Sequence, residues 1–347
     1  MSRKGAALLR GLAATAAAGI VATVAATPAA AEPKHEPSGE PVVIAHRGAS
    51  GYVPEHTMEA YRLAVRLGAD VIEPDLVLTA DGELLARHEP ELSDTTDVEA
   101  RPEFADRKTT RDVDGTEMTG WFADDFTVAE LKTLRAEERL PELRPRSAAW
   151  DGRFELVTYD EILDYVEGLG REVVTYPEMK HPAYYDDMGL SIEDALAETL
   201  AERGLDEEAS PVWVQSFDYE SLVEIGEAID NPIGLNIGGS GAISDADLDL
   251  YAETLDAISL SKNRIVPRDA DGRLLDATDV IERAHERGLE VHVWTFRNEN
   301  AFLPADFRRA HGDAEWGDYM AEYELFYDLG VDAVFSDFPD SAIAARD

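Results

Sequence analysis

The chain alternates short apolar runs with amphipathic, helix-punctuated stretches. The runs are "VVIAH" 42–46, "DVIEPDLVL" 70–78, "REVVTYPEMK" 171–180, "PVWVQSF" 211–217, "PIGLNIGG" 232–239, "RIVP" 264–267, "LEVHVWTF" 289–296 and "DAVFSDFP" 332–339. Each is short enough for a strand, and the segments between them carry helix boundaries. "TMEAYRLAVRLG" ends on Gly68, "SIEDALAETLAERG" opens on Ser191 and closes on Gly204, and "ATDVIERAHERG" and "AEYELFYDLG" repeat the same punctuation. Alternating strands and helices predict an α/β chain with a parallel sheet. Eight strands favour a closed (β/α)8 barrel over an open doubly wound sheet. One interval breaks the rhythm: residues of about 89–155 are too long for a plain strand–helix–strand connection. They predict an insertion after the second strand, closed by a helix over "TVAELKTLRAEER" with Thr127 and Glu130 as a capping box.

Several of these runs finish in groups that are expensive to bury. His46 and Arg47 end the first, Glu73 and Asp75 lie on the second, and Glu178 and Lys180 end the third. Strand ends that merely meet solvent would explain this, but in a barrel the C-terminal strand ends and following loops form the functional face. Glu73 and Asp75 are two residues apart, so both side chains leave the same side of the sheet. Like charges so placed need a cation or a shared proton. With Glu178 from the next strand they offer an all-oxygen site, suited to Ca2+ or Mg2+ rather than zinc. The alternative is that they pair with rim Arg and Lys.

His46 and His88 both follow strand-like runs near these carboxylates, whereas His35, His285 and His311 sit in polar or helical contexts. An imidazole exchanges protons near neutral pH, which ester hydrolysis at phosphorus requires. Arg47 has the shape to grip two phosphate oxygens, and Gly48 and Gly51 let its loop approach an anion. No Walker sequence, dinucleotide-binding glycine pattern or G-x-S-x-G elbow is present. Metal-assisted phosphoester hydrolysis fits these residues best; a glycosidase would use Glu178 with a second carboxylate but has less need of the His and Arg groups.

Composition adds compartment and partners. The first residues, "MSRKGAALLRGLAATAAAGIVATVAATPAAA", have a basic start and an Ala-rich apolar stretch leaving on small residues, which predicts a signal peptide cut after Ala31. Residues 32–347 are then the exported barrel domain, periplasmic or extracellular, with no later span for stable membrane insertion. No cysteine is present, so no disulfide contributes. The chain carries 72 acidic against 31 basic side chains, a formal charge of -41. Such a surface argues against nucleic acid or anionic membranes as partners and predicts a salty, halophilic setting.

The stretches "AHRGASGYVPEHTMEAYRLAVRLGADVIEPDLVLTADGELLARHEP", "FADRKTTRDVDG", "YPEMKHP", "QSF", "VHVWTF" and "VFSDFP" together resemble the glycerophosphodiester phosphodiesterase family, especially its longer exported bacterial branch. The resemblance implies a TIM barrel with a family insertion after the second strand. It implies a divalent metal, Ca2+ favoured and Mg2+ possible, on Glu73, Asp75 and Glu178. His46 and His88 would be the acid/base pair, Arg47 and Lys180 would bind the phosphate, and Trp294 would wall the glycerol end. Glu55 belongs to a segment resembling the family's "PENT" and would join the polar network. The usual Asn is His56 here, another hydrogen-bond donor, with which the loop should survive. The substrates implied are small glycerophosphodiesters. The alternatives are a polymer such as teichoic acid, intact lipids as in the spider-toxin-type phospholipases D, and a non-catalytic surface barrel.

Overall fold

The computed structural model describes residues 39–310 and 312–347; the expected leader, 1–31, lies outside them. In chain order the strands are β1 (Val42–His46), β2 (Val71–Glu73), β3 (Asp75–Leu78), β4 (Leu84–Ala86), β5 (Thr109–Val113), β6 (Thr116–Gly120), β7 (Val174–Thr175) and β8 (Glu178–Met179). They continue as β9 (Val214–Ser216), β10 (Ile233–Ile237), β11 (Ala257–Ser261), β12 (Glu290–Phe296) and β13 (Ala333–Ser336). β2 and β3 are one barrel strand interrupted at Pro74, and β7 and β8 another interrupted at Pro177, because proline has no N–H for the ladder. The backbone pairing nonetheless runs through, with Tyr176 N–H donating to Ile72, Glu178 to Pro74 and Lys180 to Leu76. Counting each interrupted pair once, eight parallel strands close on themselves, since β13 pairs with β1 and the β2/β3 strand pairs with both β1 and the β7/β8 strand. The fold is a TIM barrel, to which β4 adds an antiparallel edge on β3.

Period-two alternation explains why the strand ends are charged. Val42, Ile44 and His46 face one way along β1; Val71, Glu73 and Asp75 do so along the second strand; Val174, Tyr176, Glu178 and Lys180 along the third. Ile44, Val71, Tyr176, Ala333 and Phe335 form an apolar cluster, with Trp213 and Trp294 packed against it. The ionisable groups are the next layer up on the same inward face. A larger apolar core lies between the strands and the surrounding helices. Inside the barrel, a Cβ at Gly234 would fall 2.1 Å from the Tyr176 hydroxyl, so the bulk of Tyr176 requires glycine there.

Two expected elements differ. The sixth strand is Ala257–Ser261; "RIVP" begins in the short helix Lys262–Ile265. β11 presents Ser259 and Ser261 on the face that carries Trp294 in β12, and this polar inward face hid it from a hydrophobic pattern. The capping box at Thr127 and Glu130 is formed, but its helix spans only Val128–Leu131. Beyond it Arg135 bridges to Glu155 and Ala136 to Thr96, so non-local pairing withdraws the backbone from the helix. Between β4 and β7 the chain also builds the β5–β6 hairpin and short helical turns. Among the described residues, no helix is long and apolar enough to cross a membrane.

Candidate active site

Register assembles the carboxylates. Glu73 lies opposite His46 across the β1–β2 pair, Asp75 opposite Glu178 across β3–β8, and Glu178 opposite Gln215 across β8–β9. Glu73, Asp75 and Glu178 are buried and bring one carboxylate oxygen each to within 4.8 Å of one another. Burial, reinforced by Asp75 and Glu178, raises the Glu73 carboxyl well above the usual range. Burial likewise pushes Glu178 up to about 7 against the opposing pull of Lys180, whose Nζ is 2.6 Å from Glu178 Oε1. Burial also works against ionised Asp75, but Lys180 and Arg47 outweigh it and hold that group well below the ordinary range. Asp75 Oδ1 is buried with no hydrogen-bond donor.

Arg47 is the cationic counterpart. Its backbone, at φ 58, adopts the left-handed region next to Gly48, which turns the chain sharply at the end of β1. That turn sends the Arg47 N–H to Glu73 Oε2 at 2.7 Å and sets the guanidinium Nε 3.1 Å from Asp75 Oδ2. Glu55 accepts from Arg47 Nη1 at 3.2 Å and from Arg139 Nη2 at 2.8 Å. It therefore stands behind Arg47 as a buttress, outside the cavity wall.

His46 gives its Nδ1 side to Asp337, 2.6 Å away, and Asp337 is also held by Arg144 and by Arg297 Nε at 2.9 Å. This leaves the other ring nitrogen of His46 for the cavity. Burial, with Arg47 nearby, lowers its pKa to about 4. His88 is partly exposed and hydrogen-bonds to Glu89 through Nδ1; burial and the neighbouring cations lower it too. His56 is different. It is wholly buried, with Nε2 2.9 Å from Asp75 and Nδ1 2.8 Å from the Tyr61 hydroxyl, so it orients a carboxylate and does not line the cavity. Its φ of 53 suits the residues that tolerate left-handed backbone, Asn and His among them.

A cavity of about 300 Å³ opens at the C-terminal ends of the strands, walled by His46, Arg47, Glu73, His88, Glu178 and Trp294, among others. Phe217 packs edge-on to Trp294, with centroids 5.6 Å apart, and Trp294 Nε1 donates to the Ser259 carbonyl. Thus His46, Arg47, Glu73, His88, Glu178 and Trp294 line one cavity, with Asp75 and Lys180 beside Glu178. Asp337, Arg139 and Arg144 escaped the sequence reading as site residues. Asp337 was visible only as a strand-end carboxylate, and the two arginines, in the long excursion "ERLPELRPRS", carry no local signal.

Known proteins resemble this chain over most of its length. Residues 46–341 match the model of the glycerophosphoryl diester phosphodiesterase family. A glycerophosphodiester phosphodiesterase of Arabidopsis thaliana is 38% identical over 326 residues, covering 87% of this chain and 84% of that one. One of Bacillus subtilis is 30% identical over 305 residues, covering 86% and 84%. Among solved structures, an Oleispira antarctica phosphodiesterase in complex with the product sn-glycerol-3-phosphate superposes with a TM-score of 0.60 at 22% identity, over 88% of this chain and 96% of that one, a likeness of fold. With the family model spanning the barrel and relatives of that activity aligned over most of both chains, this chain belongs to the glycerophosphodiester phosphodiesterase family of enzymes.

Proposed function

We propose that the chain hydrolyses small glycerophosphodiesters, such as glycerophosphocholine and glycerophosphoethanolamine, to sn-glycerol 3-phosphate and an alcohol, using one divalent metal ion. The observation that carries this reading is the trio of buried carboxylates beside Arg47 and Lys180, in a cavity that both His46 and His88 wall. The trio fits a hard cation: its donors are all oxygen, its charges repel when empty of one, and Asp75 Oδ1 is buried without a donor. Glu73, Asp75 and Glu178 would hold the ion, with Ca2+ favoured and Mg2+ also compatible. Bound there, it would supply Lewis-acid polarisation of a phosphoryl oxygen.

The chain's own groups do the rest. Arg47 is braced by Glu55 and Asp75 and offers its guanidinium to the phosphate; Lys180 adds a second positive charge. His46 is neutral at pH 7, with its tautomer fixed by Asp337, so its free nitrogen can take a proton. An incoming phosphodiester anion favours protonated imidazole, and the two histidines then divide proton removal from the attacking oxygen and proton delivery to the departing alcohol. Trp294 and Phe217 make the apolar wall against which the glycerol carbons rest. Product bound in the Oleispira neighbour is in keeping with this reading. The test is release of sn-glycerol 3-phosphate from glycerophosphocholine, with EDTA and with Ca2+ or Mg2+ restored. Activity lost to chelation and regained with metal is expected; a folded protein equally active in EDTA would overturn the metal site.

A further inference from the structure

Each histidine of the cavity turns its Nδ1 to a carboxylate, and each of those carboxylates is held by an arginine from one short stretch of the insertion, residues 139–144. His46 Nδ1 meets Asp337 Oδ1 at 2.6 Å, and Arg144 takes the other oxygen of Asp337. His88 Nδ1 meets Glu89, and Arg139 grips both Glu89 oxygens, with Nη1 2.9 Å from Oε1 and Nη2 2.6 Å from Oε2. A second edge of Arg139 goes to Glu55, the buttress of Arg47, with Nε 3.1 Å from Oε2 and Nη2 2.8 Å from Oε1. Two forked contacts on adjacent edges of one planar cation suit a guanidinium and not an ammonium. Arg144 is shared in the same way. Its Nε donates to Glu299 at 2.7 Å and its Nη1 to the Ser50 carbonyl at 3.1 Å, while Ser50 Oγ reaches back to the His46 carbonyl at 2.8 Å. Burial works against both guanidinium charges, but Glu55 in one case and Asp337 in the other outweigh it, and both stay raised. The backbone between them is a closed turn, with the N–H groups of Leu143 and Arg144 donating to the Leu140 carbonyl at 2.9 and 2.8 Å. Glu138 anchors its start, accepting from the Leu140 N–H and the Ser147 hydroxyl.

We infer that Arg139 and Arg144 are positioning residues for the two histidines: through Glu89 and Asp337, one turn of the insertion locks both imidazoles in the tautomer with its proton on Nδ1, leaving Nε2 free for substrate. This rests on the phosphodiesterase reading above and gives the excursion from the barrel a part in it. An ionised carboxylate only accepts, so a neutral imidazole beside it must donate. The carboxylate in turn holds the ring only as firmly as it is held itself. The two arms are unequal. Asp337 keeps Arg297 Nε at 2.9 Å when Arg144 is removed, whereas Glu89 is partly exposed and owes both of its forked contacts to Arg139.

The experiment reads the histidine ring nitrogens by NMR, with kcat, KM and melting temperature for glycerophosphocholine, in the metal-loaded full chain. Arg139→Gln should lower kcat by about 10-fold to 100-fold, the scale of a misplaced reacting group. In the spectra it should leave His88 in a mixture of tautomers and His46 unmoved. Arg144→Gln should move His46 and not His88, with a smaller loss of kcat because Arg297 remains. Arg139→Lys keeps the charge but cannot fork, so it should restore the melting temperature and only part of kcat. Should Arg139→Gln fail to fold, Glu89→Gln replaces the clamped carboxylate by an amide that both gives and accepts, and must release the His88 tautomer alone. A loss of kcat with both ring signatures intact overturns the inference, as does full recovery of kcat in Arg139→Lys. A chain that hydrolyses no glycerophosphodiester yet shows these ring signatures keeps the positioning and sinks the phosphodiesterase reading. Unmoved rings sink the positioning whatever the activity.

Discussion

Glu73 separates folding from function within one side chain. Buried against two other carboxylates, its charged form is disfavoured, so neutralising it relieves repulsion in the metal-free protein. Glu73→Gln should leave the melting temperature of the metal-free protein unchanged or higher while abolishing stabilisation by added Ca2+ or Mg2+. For the wild type that stabilisation approaches about 2.7 kcal/mol at a hundredfold excess over Kd. Thermal melts with and without metal read both halves; a variant still stabilised by metal would remove Glu73 from the ligand set. His56 is the opposite kind of residue, a histidine whose work is holding Asp75 and Tyr61. His56→Asn keeps a donor in a left-handed position that asparagine tolerates, so kcat should stay within about fivefold, the worth of one net hydrogen bond. His46→Asn should lose on the order of 10²-fold or more, as loss of a proton-transfer group does. A His56→Asn loss as deep as that of His46→Asn would make His56 a participant in the chemistry.

Between elements, ionisable groups fasten the barrel's N-terminal end. His285, at the end of the helix Val280–His285, donates to Asp332 Oδ2 at 2.7 Å; the same oxygen accepts from the Val291 backbone, and Asp332 O accepts from Val42. One acidic residue thus ties β1, β12 and the start of β13 to a helix. The hydrogen bond to Asp332 raises the His285 pKa above its usual 6.5. Folding therefore gains from protonated His285 below that unfolded value, and the gain is lost as pH rises through the raised folded pKa. Its size should be below about 1 kcal/mol, because the ring is partly exposed. Denaturant titrations across pH 5–9 should show this slope in wild type and its disappearance in His285→Gln (a pH range chosen to bracket about 6.5). An unchanged slope would assign it to another group.

Over the whole molecule the dominant fact is a charge of -41. Arginines are spent locally, with Arg203, Arg283 and Arg287 each meeting more than one carboxylate, yet most of the acidic surface repels itself. Raising NaCl shortens the screening length from about 10 Å at 0.1 M to about 3 Å at 1 M, so the melting temperature should climb over that range. A flat or falling curve would remove the reading of a salt-adapted surface. The cavity should respond differently. Arg47 and Lys180 meet an anionic substrate there, so salt that stabilises the fold should weaken attraction to the substrate.

Local patterning along the chain is enough for the periodic frame and the inward charge. Alternation at 42–46, 70–78 and 171–180 fixes which side chains share a face, and a period of two leaves Glu73 and Asp75 together wherever the strand lies. The motif spellings pointed to His46, His88 and Arg47 because those residues are close in sequence to the strand ends that carry them. What lay beyond local reading was whatever depends on closure. β11 carries no hydrophobic signature because its inward face is serine, and the helix after Thr127 is shorter than its local pattern because the pairing of Arg135 with Glu155 is non-local. Only the tertiary structure could bring Asp337 to His46 across 291 positions, Arg144 to Asp337 across 193 and Arg139 to Glu55 across 84. The physical reason is that a strand's face is a property of neighbouring residues, whereas a site's charge balance is a property of every element that the closed barrel turns toward it.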